Sequence, residues 1–314
     1  MANIIRIATR QSPLALWQAN AVKDRLEALH QNLEVTLVPM TTKGDQLLDS
    51  PLARIGGKGL FIKELEVAML EDRADIAVHS MKDVPAAMPD GFSLGPILSR
   101  ESPYDAFVSN RFAHLNDLPN DAVVGTCSLR RGSQILKHKP SVTIHNLRGN
   151  VNTRLAKLDA GEFDAIILAE SGLERLGFGD RVRHAIDRTI SLPAVGQGAI
   201  GIELRANDTA VAEWVQPLAC EITTMAVLTE RAMNRTLNGG CQAPIAGYAT
   251  IDQQQITLTG RVLTPDGKTL LEESGQSALN PTDAVTLGHT IGQQLLDKGA
   301  DAILSELGIQ TGNA

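Results

Sequence analysis

A weak internal repeat constrains this 314-residue chain more than any other feature of its sequence. Segments 59–78 and 149–167 each begin with a glycine, place a leucine six residues later, and continue to an aspartate that opens an apolar run. Strand-like segments also lead through a threonine and a turn to a serine before a helical pattern, once near Thr9 and once near Thr126. Strands that alternate with helices are typical of α/β folds. The repeat therefore predicts two similar α/β lobes that face each other over a cleft.

The rest of the chain predicts a third, smaller domain. The polar, proline-bearing stretch 100–103 suits a hinge, and the glycine-rich segment 190–204 suits a crossover back to the first lobe that ends in a strand. A helix with Thr223 or Thr224 as its N-cap then leads into the strands and turns of an α+β region. We therefore predict lobe 1 at 1–99 with 195–218, lobe 2 at 100–194, and an α+β domain at 219–314.

Charge and cysteine content restrict the class of protein. The net charge of −7 argues against bulk attraction to nucleic acid, so any anion site must be built locally from basic side chains. Three scattered cysteines do not suit a disulfide framework or a paired-cysteine metal site, and we expect no metal. The N-terminus lacks a charged segment followed by a long apolar core, and no apolar run approaches the length of a membrane span. We expect a cytoplasmic protein.

The segment 75–85 carries the first candidate chemistry. An apolar strand pattern ends at Val78, and Ser80, Lys82 and Asp83 follow before Pro85. Ligands of open α/β sheets bind at the carboxyl ends of strands, so a hydroxyl, an ammonium and a carboxylate would lie at such a site. The alternative is a polar loop with Asp83 as a turn residue. The segment alone leaves both interpretations open.

Two predicted helix starts suggest anion binding. Ser12 suits an N-cap, Pro13 suits the first helical position, and Arg10 lies beside the exposed backbone N–H groups, although a plain turn with a solvated arginine explains the pattern as well. In the second lobe Arg130 and Arg131 occupy the first turn of a helix, where cations oppose the helix dipole. This locally unfavourable choice indicates that an anion lies there.

Two glycine-rich segments are candidates for loops near a ligand. Glycines surround Lys58 at 56–59, which favours a mobile loop or a close backbone approach, without the spacing of a P-loop. Cys241 follows Gly239 and Gly240 on a predicted loop, where an ordinary thiol is the commoner interpretation.

Seven motifs in order resemble the porphobilinogen deaminase (hydroxymethylbilane synthase) family and cover the chain nearly end to end. They are IATRQSPLA at 7–15, GGKGLF at 56–61, VHSMKDVP at 78–85, GTCSLRR at 125–131, LRGNV at 147–151, LPAVGQG at 192–198 and GGCQAP at 239–244. The resemblance implies two lobes like those of periplasmic binding proteins around a cleft, with a small C-terminal α+β domain.

The resemblance also implies an activity. Four porphobilinogen molecules would be joined head-to-tail to a dipyrromethane cofactor with loss of ammonia, and the linear tetrapyrrole hydroxymethylbilane would be hydrolysed off and passed to uroporphyrinogen-III synthase. The family further implies a monomer. Each pyrrole unit carries an acetate and a propionate, which matches arginines that bind carboxylates bidentately.

The implied roles fall on individual residues of this sequence. Asp83 would be the catalytic carboxylate, stabilising the azafulvenium cation and exchanging protons, and Cys241 would hold the cofactor through a thioether. The implied cofactor- and substrate-binding residues are Arg10, Ser12, Lys58, Phe61, Ser80, Lys82, Thr126, Ser128, Arg130, Arg131, Arg148, Gly149, Arg154, Arg175, Gln197 and Gly198. Cys127 departs from the family pattern, which usually has serine there.

Two alternatives belong to other functional classes. A non-catalytic binding protein for an oxyanion or dicarboxylate would explain the two lobes, although not the C-terminal domain with Cys241. An effector-binding domain of a regulator is the other alternative, but the sequence shows neither a helix-turn-helix nor a basic N-terminal region for DNA binding. Replacement of Asp83 by alanine separates an enzyme from a binder, because an enzyme loses turnover whereas a binder keeps most of its affinity.

Overall fold

The computed structural model describes residues 3–42, 62–240 and 242–311. Two compact units make up the chain: unit 1 is Met1–Arg100 with Ala199–Thr224, and unit 2 is Glu101–Gly198 with Met225–Ala314. No helix in the described ranges combines the length and apolar character that crossing a membrane requires.

The described elements are thirteen strands and nine α-helices. The strands are β1 (Asn3–Arg10), β2 (Leu33–Met40), β3 (Ile76–Ser80), β4 (Phe92–Ile97), β5 (Asp105–Val108), β6 (Val123–Gly125), β7 (Thr143–His145), β8 (Ala165–Ala169), β9 (His184–Ile186), β10 (Ile200–Arg205), β11 (Ile245–Asp252), β12 (Gln255–Leu263) and β13 (Leu270–Ala278). The helices are α1 (Pro13–Leu29), α2 (Lys63–Leu70), α3 (Leu129–His138), α4 (Val151–Asp159), α5 (Glu170–Arg175), α6 (Thr209–Val215), α7 (Glu221–Thr236), α8 (Pro281–Asp297) and α9 (Ala300–Glu306).

Unit 1 is built on a mixed five-stranded sheet in the order β2-β1-β3-β10-β4. β1 is parallel to β2 and β3, whereas β10 runs antiparallel to β3 and β4. Alternate residues of β3 serve opposite faces: Ile76 and Val78 pack with α1, and Ala77 packs with α2. Because both faces are covered, β3 is buried almost throughout and begins with the apolar run Ile76–Val78 that the sequence predicts.

The first sheet of unit 2 repeats this topology. Its order is β7-β6-β8-β5-β9, with β6 parallel to β7 and β8, and with β5 antiparallel to β8 and β9. The repeated aspartates do the same work in both sheets. Asp75 accepts a hydrogen bond from the Arg6 backbone N–H at 2.8 Å, and Asp164 accepts one from the Val123 backbone N–H at 2.7 Å. The predicted repeat of two α/β lobes is therefore confirmed.

The C-terminal part of unit 2 is a small α+β assembly, as predicted. The antiparallel sheet β11-β12-β13 packs on α7 and α8 around Met233, Leu258 and Ile291. α8 lies so close to α7 that a methyl group at Gly288 would overlap the Thr229 carbonyl oxygen. The division of unit 2 into two separate domains stays a prediction.

One predicted helix start was wrong. α7 begins at Glu221, ahead of the proposed N-caps at Thr223 and Thr224. The Thr223 hydroxyl accepts a hydrogen bond from the Arg100 backbone N–H at 3.0 Å instead. An acidic residue in the first turn suits the helix dipole, which favours the earlier start.

Candidate functional site

A recess in unit 1 lies where β1 and β3 end. Its empty volume is about 440 Å³, including space open to solvent. The lining residues are Arg10, Ser12, Leu14, Ala15, Gln18, Ile62, Leu65, Val78, His79, Ser80 and Asp83. Four residues that the sequence singled out, Arg10, Ser12, Ser80 and Asp83, therefore meet at one site.

The turn after β3 sets Asp83 at the recess. Met81–Asp83 forms a single 3-10 turn, and Met81 is buried while Lys82 and Asp83 are partly exposed. The Met81 backbone N–H donates to the Ala199 carbonyl at 3.0 Å. Gly201 leaves room for the Met81 side chain, because a methyl group there would overlap the Met81 sulfur. A buried anchor thus fixes the position of the polar residues beside it.

The start of α1 provides hydrogen-bond donors. Ser12 is the N-cap, and its hydroxyl oxygen accepts from the Ala15 backbone N–H at 3.4 Å, while Pro13 begins the helix as predicted. The positive end of the helix dipole and its unpaired backbone N–H groups favour an anion. Together with Arg10, this end of the recess suits a carboxylate.

Ser80 is held by a residue that the sequence did not single out. The buried Gln18 side chain on α1 donates from Nε2 to Ser80 Oγ at 2.7 Å. The hydroxyl therefore acts as an acceptor toward Gln18 and keeps its own hydrogen for another acceptor. Gln18 lies on the buried side of α1 with Ala19 and Val22. A polar residue among the apolar positions of the helix was the sequence feature that could have identified it.

In unit 2, Arg130 and Arg131 contact an anion that belongs to the chain itself. Asp105, fully buried at the start of β5, accepts from Arg130 Nη1 at 2.7 Å and from Arg131 Nε at 2.8 Å. Ser191 also donates to this carboxylate at 2.8 Å. Burial opposes ionisation of Asp105, but the two guanidinium charges outweigh it and hold its pKa well below the usual range. The anion that the arginine pair predicted is thus Asp105, at least in part.

Other predicted residues lie in or next to this cluster. Gln197 donates from Nε2 to Asp105 Oδ1 at 3.0 Å and accepts from Arg131 Nη2 at 3.2 Å. Arg175 donates to Glu101 at 2.6 Å and to the Gly198 carbonyl at 2.8 Å.

The loops before α3 and α4, together with α4 itself, carry the remaining described binding candidates. Ser128 is the N-cap of α3, and Thr126 Oγ1 accepts from the Ser128 backbone N–H at 3.2 Å. Arg154 on α4 donates from Nε to the Gly149 carbonyl at 2.8 Å. Arg148 is half-buried, and no side chain in the described ranges forms an ion pair with it. Such an arginine can bind a ligand carboxylate by donating hydrogen bonds to it.

Three predicted site residues, Lys58, Phe61 and Cys241, lie outside the described residues. His79 and Asp105 are polar residues of the two lobes that sequence reasoning missed. Asp105 directly precedes the apolar run Ala106–Val108, and this position was its only signal. Within the described ranges no group of three or more His, Cys, Asp or Glu residues could hold a metal ion.

Comparison with solved structures gives distant similarities. The chain resembles the methionine binding protein MetQ (11% identity, TM-score 0.45, covering 69% of this chain and 90% of that chain). It also resembles the BvgS VFT2 domain of Bordetella pertussis (16%, 0.42, 68% and 85%) and the probable amino-acid transporter binding protein YtmK of Bacillus subtilis (10%, 0.42, 74% and 98%).

Comparison with protein families is decisive. The dipyrromethane cofactor binding domain of porphobilinogen deaminase matches residues 5–213, and the C-terminal domain of porphobilinogen deaminase matches residues 224–297. The first match alone spans more than half of the chain. The chain therefore belongs to the porphobilinogen deaminase family, whose cofactor is dipyrromethane and whose members polymerise porphobilinogen in tetrapyrrole biosynthesis.

Proposed function

We propose that this protein is a hydroxymethylbilane synthase. It joins four porphobilinogen molecules head-to-tail, releases ammonia at each addition, and hydrolyses off hydroxymethylbilane. The observation that carries this proposal is the recess where Asp83 lies with Arg10, Ser12 and Ser80. It combines one carboxylate for chemistry with donors suited to the acetate and propionate groups of a pyrrole.

The donor set fits a dipyrromethane cofactor. Its carboxylates need guanidinium, hydroxyl or backbone N–H donors, and the recess offers all three at Arg10, Ser80 and the start of α1. In unit 2, Arg148 is a half-buried guanidinium that forms no ion pair within the described part of the chain, and we assign it to carboxylate binding as well. When bound, dipyrromethane supplies the pyrrole carbon to which the first porphobilinogen is joined. We assign its attachment to Cys241.

Asp83 performs the charge and proton work in this proposal. Departure of ammonia leaves positive charge on the substrate, and a nearby carboxylate stabilises that charge as it develops. The same carboxylate can hold a proton for the leaving amine and accept the ring proton lost after bond formation.

The other basic residues divide into two groups. Arg10, Lys58, Lys82, Arg148 and Arg154 bind carboxylates in this proposal, with Phe61, Thr126, Ser128 and Gly149 completing the binding surfaces. Arg130, Arg131 and Arg175 join them with Gln197 and Gly198, and Asp105 or Glu101 sets the positions of these three guanidiniums. We further propose that the enzyme works as a cytoplasmic monomer whose product passes to uroporphyrinogen-III synthase.

Two measurements test the function. Asp83→Ala should retain the cofactor mass on the denatured protein yet lose conversion of porphobilinogen to hydroxymethylbilane, whereas the exposed control Asp90→Ala should keep both. Normal turnover by Asp83→Ala would refute the catalytic assignment.

Intact masses of the wild type and Cys241→Ser should differ by the dipyrromethane, beyond the substitution itself. A wild type that neither carries this mass nor turns over porphobilinogen would favour the two-lobe binding protein.

A further inference from the structure

A buried polar network lies directly behind the recess of unit 1. Alternation along β3 and β10 places His79 and Glu203 on the sheet face that α2 covers. His79 Nε2 lies 2.8 Å from Glu203 Oε2, and Glu203 is only 1% exposed. His79 also forms part of the recess wall with Ser80 and Asp83. A buried carboxylate therefore orients an imidazole at the site proposed for catalysis.

The second carboxylate oxygen of Glu203 lacks a hydrogen-bond donor in the described part of the chain. Glu203 Oε1 is buried, and no donor within the described ranges bonds to it. Glu66 on α2 brings its carboxyl group within hydrogen-bonding reach of Glu203. Two ionised carboxylates offer only acceptors, so one of the pair must carry a proton before they can bond. A buried acceptor left without a donor is unfavourable, and the pair thus favours holding one proton.

The surrounding charges still favour one proton on the Glu66–Glu203 pair. Burial, followed by the charge of Glu203, raises the pKa of Glu66 to about 7, against the opposing influence of His79 and Lys63. Arg205, on the same face of β10, donates to the Met69 and Ala74 carbonyls. Glu64 lies on α2 with Glu66, and Arg10 and Asp83 line the recess together with His79.

We propose that Glu66 and Glu203 form an acid pair with one shared proton, and that this pair is a positioning unit that holds His79 in the recess wall beside Asp83. Its part in turnover rests on the proposed function. When the proton is lost, the two carboxylates repel each other and Glu203 no longer holds the imidazole in one orientation. Turnover then depends on a proton that does not itself enter the reaction.

The pH dependence of kcat tests the role in turnover. Wild-type kcat should fall above a pH of about 7, approaching a slope of about tenfold per pH unit, as expected for loss of one proton. Glu66→Gln keeps the size of the side chain and donates permanently from its amide, so its kcat should stay level across this range while KM is unchanged. The exposed Glu71→Gln, at the end of the same helix, should follow the wild type. A purely structural role would lower kcat of Glu66→Gln equally at every pH, and that result would overturn the proposal.

An infrared measurement tests the shared proton without any activity. At a pH of about 6, where an ordinary glutamate is ionised, the wild type should show a protonated carboxyl band that disappears in Glu66→Gln and persists in Glu71→Gln. Absence of that band from the folded wild type would overturn the proposal. If the wild type made no hydroxymethylbilane, the proposed function would fail while the infrared result still decided the state of the pair.

Discussion

At the residue scale, the two buried arginines at the start of α3 require a nearby anion. Arg130 and Arg131 oppose the helix dipole and are both almost fully buried, so each needs a close anion. Asp105 meets both needs because its two oxygens are shared between the guanidiniums. The carboxylate therefore keeps two cations in fixed positions that solvent could not maintain.

Removal of the Asp105 charge should be strongly destabilising. Asp105→Asn leaves two buried guanidiniums without their carboxylate, and breaking such a pair typically costs about 3–5 kcal/mol. Urea unfolding of the variant at neutral pH measures this loss. The exposed Asp180→Asn in the same unit is the matched control and should unfold like the wild type. An Asp105→Asn protein as stable as the control would mean that water or another group replaces the carboxylate.

The raised pKa of Glu66 should make stability depend on pH. Its pKa is 4.5 when unperturbed and about 7 in the folded protein, so the folded state binds more protons between these values. This contribution is fully present below a pH of about 4.5 and is lost as pH rises through about 7. Glu66→Gln should therefore gain unfolding free energy relative to the wild type as pH increases over that interval. Urea unfolding at several pH values, with the exposed Glu213→Gln as control, would show a constant difference if Glu66 titrated normally.

At the level of elements, the end of β3 positions the catalytic candidate through packing. β10 pairs with β3 so that Gly201 lies opposite His79, and the absence of a side chain at Gly201 gives the Met81 side chain its place. Met81 is buried, so the turn that carries Lys82 and Asp83 cannot shift without opening the core. A strand distant in sequence thus determines where the carboxylate lies.

Gly201→Ala should disturb both stability and catalysis. The added methyl group overlaps the Met81 sulfur, and overpacking of this kind costs about 1–3 kcal/mol. Displacement of the turn should also lower kcat, because Asp83 follows Met81 by two residues. Gly179→Ala, where a methyl group meets no neighbour, should change neither the urea midpoint nor kcat. If Gly201→Ala were destabilised but kept its kcat, the position of the turn that carries Asp83 would not limit turnover, and the prediction would be wrong.

At the level of the whole molecule, the sequence predicted the features that depend on local patterns better than it predicted the long-range contacts. Strand and helix periodicity identified the two lobes, and the N-cap Ser12 lies where the sequence placed it. The ion pairs of Asp105 and the contact of His79 with Glu203 join residues far apart in sequence, so no local pattern reveals them. Arginines at a helix start required an anion, but only the fold decides that a chain carboxylate meets part of that need.

Attachment of the cofactor should stabilise the folded chain as a whole. A group that contacts only the native state raises the free energy of unfolding, and dipyrromethane joined at Cys241 would be such a group in the proposed enzyme. Cys241→Ser should therefore lose the cofactor mass and show a Tm several degrees below the wild type. Cys127→Ser changes another of the three cysteines and should keep both the mass and the Tm. If Cys241→Ser lost the mass and kept its Tm, the carboxylates of the cofactor would contribute little net binding free energy to the arginines and hydroxyls assigned to them.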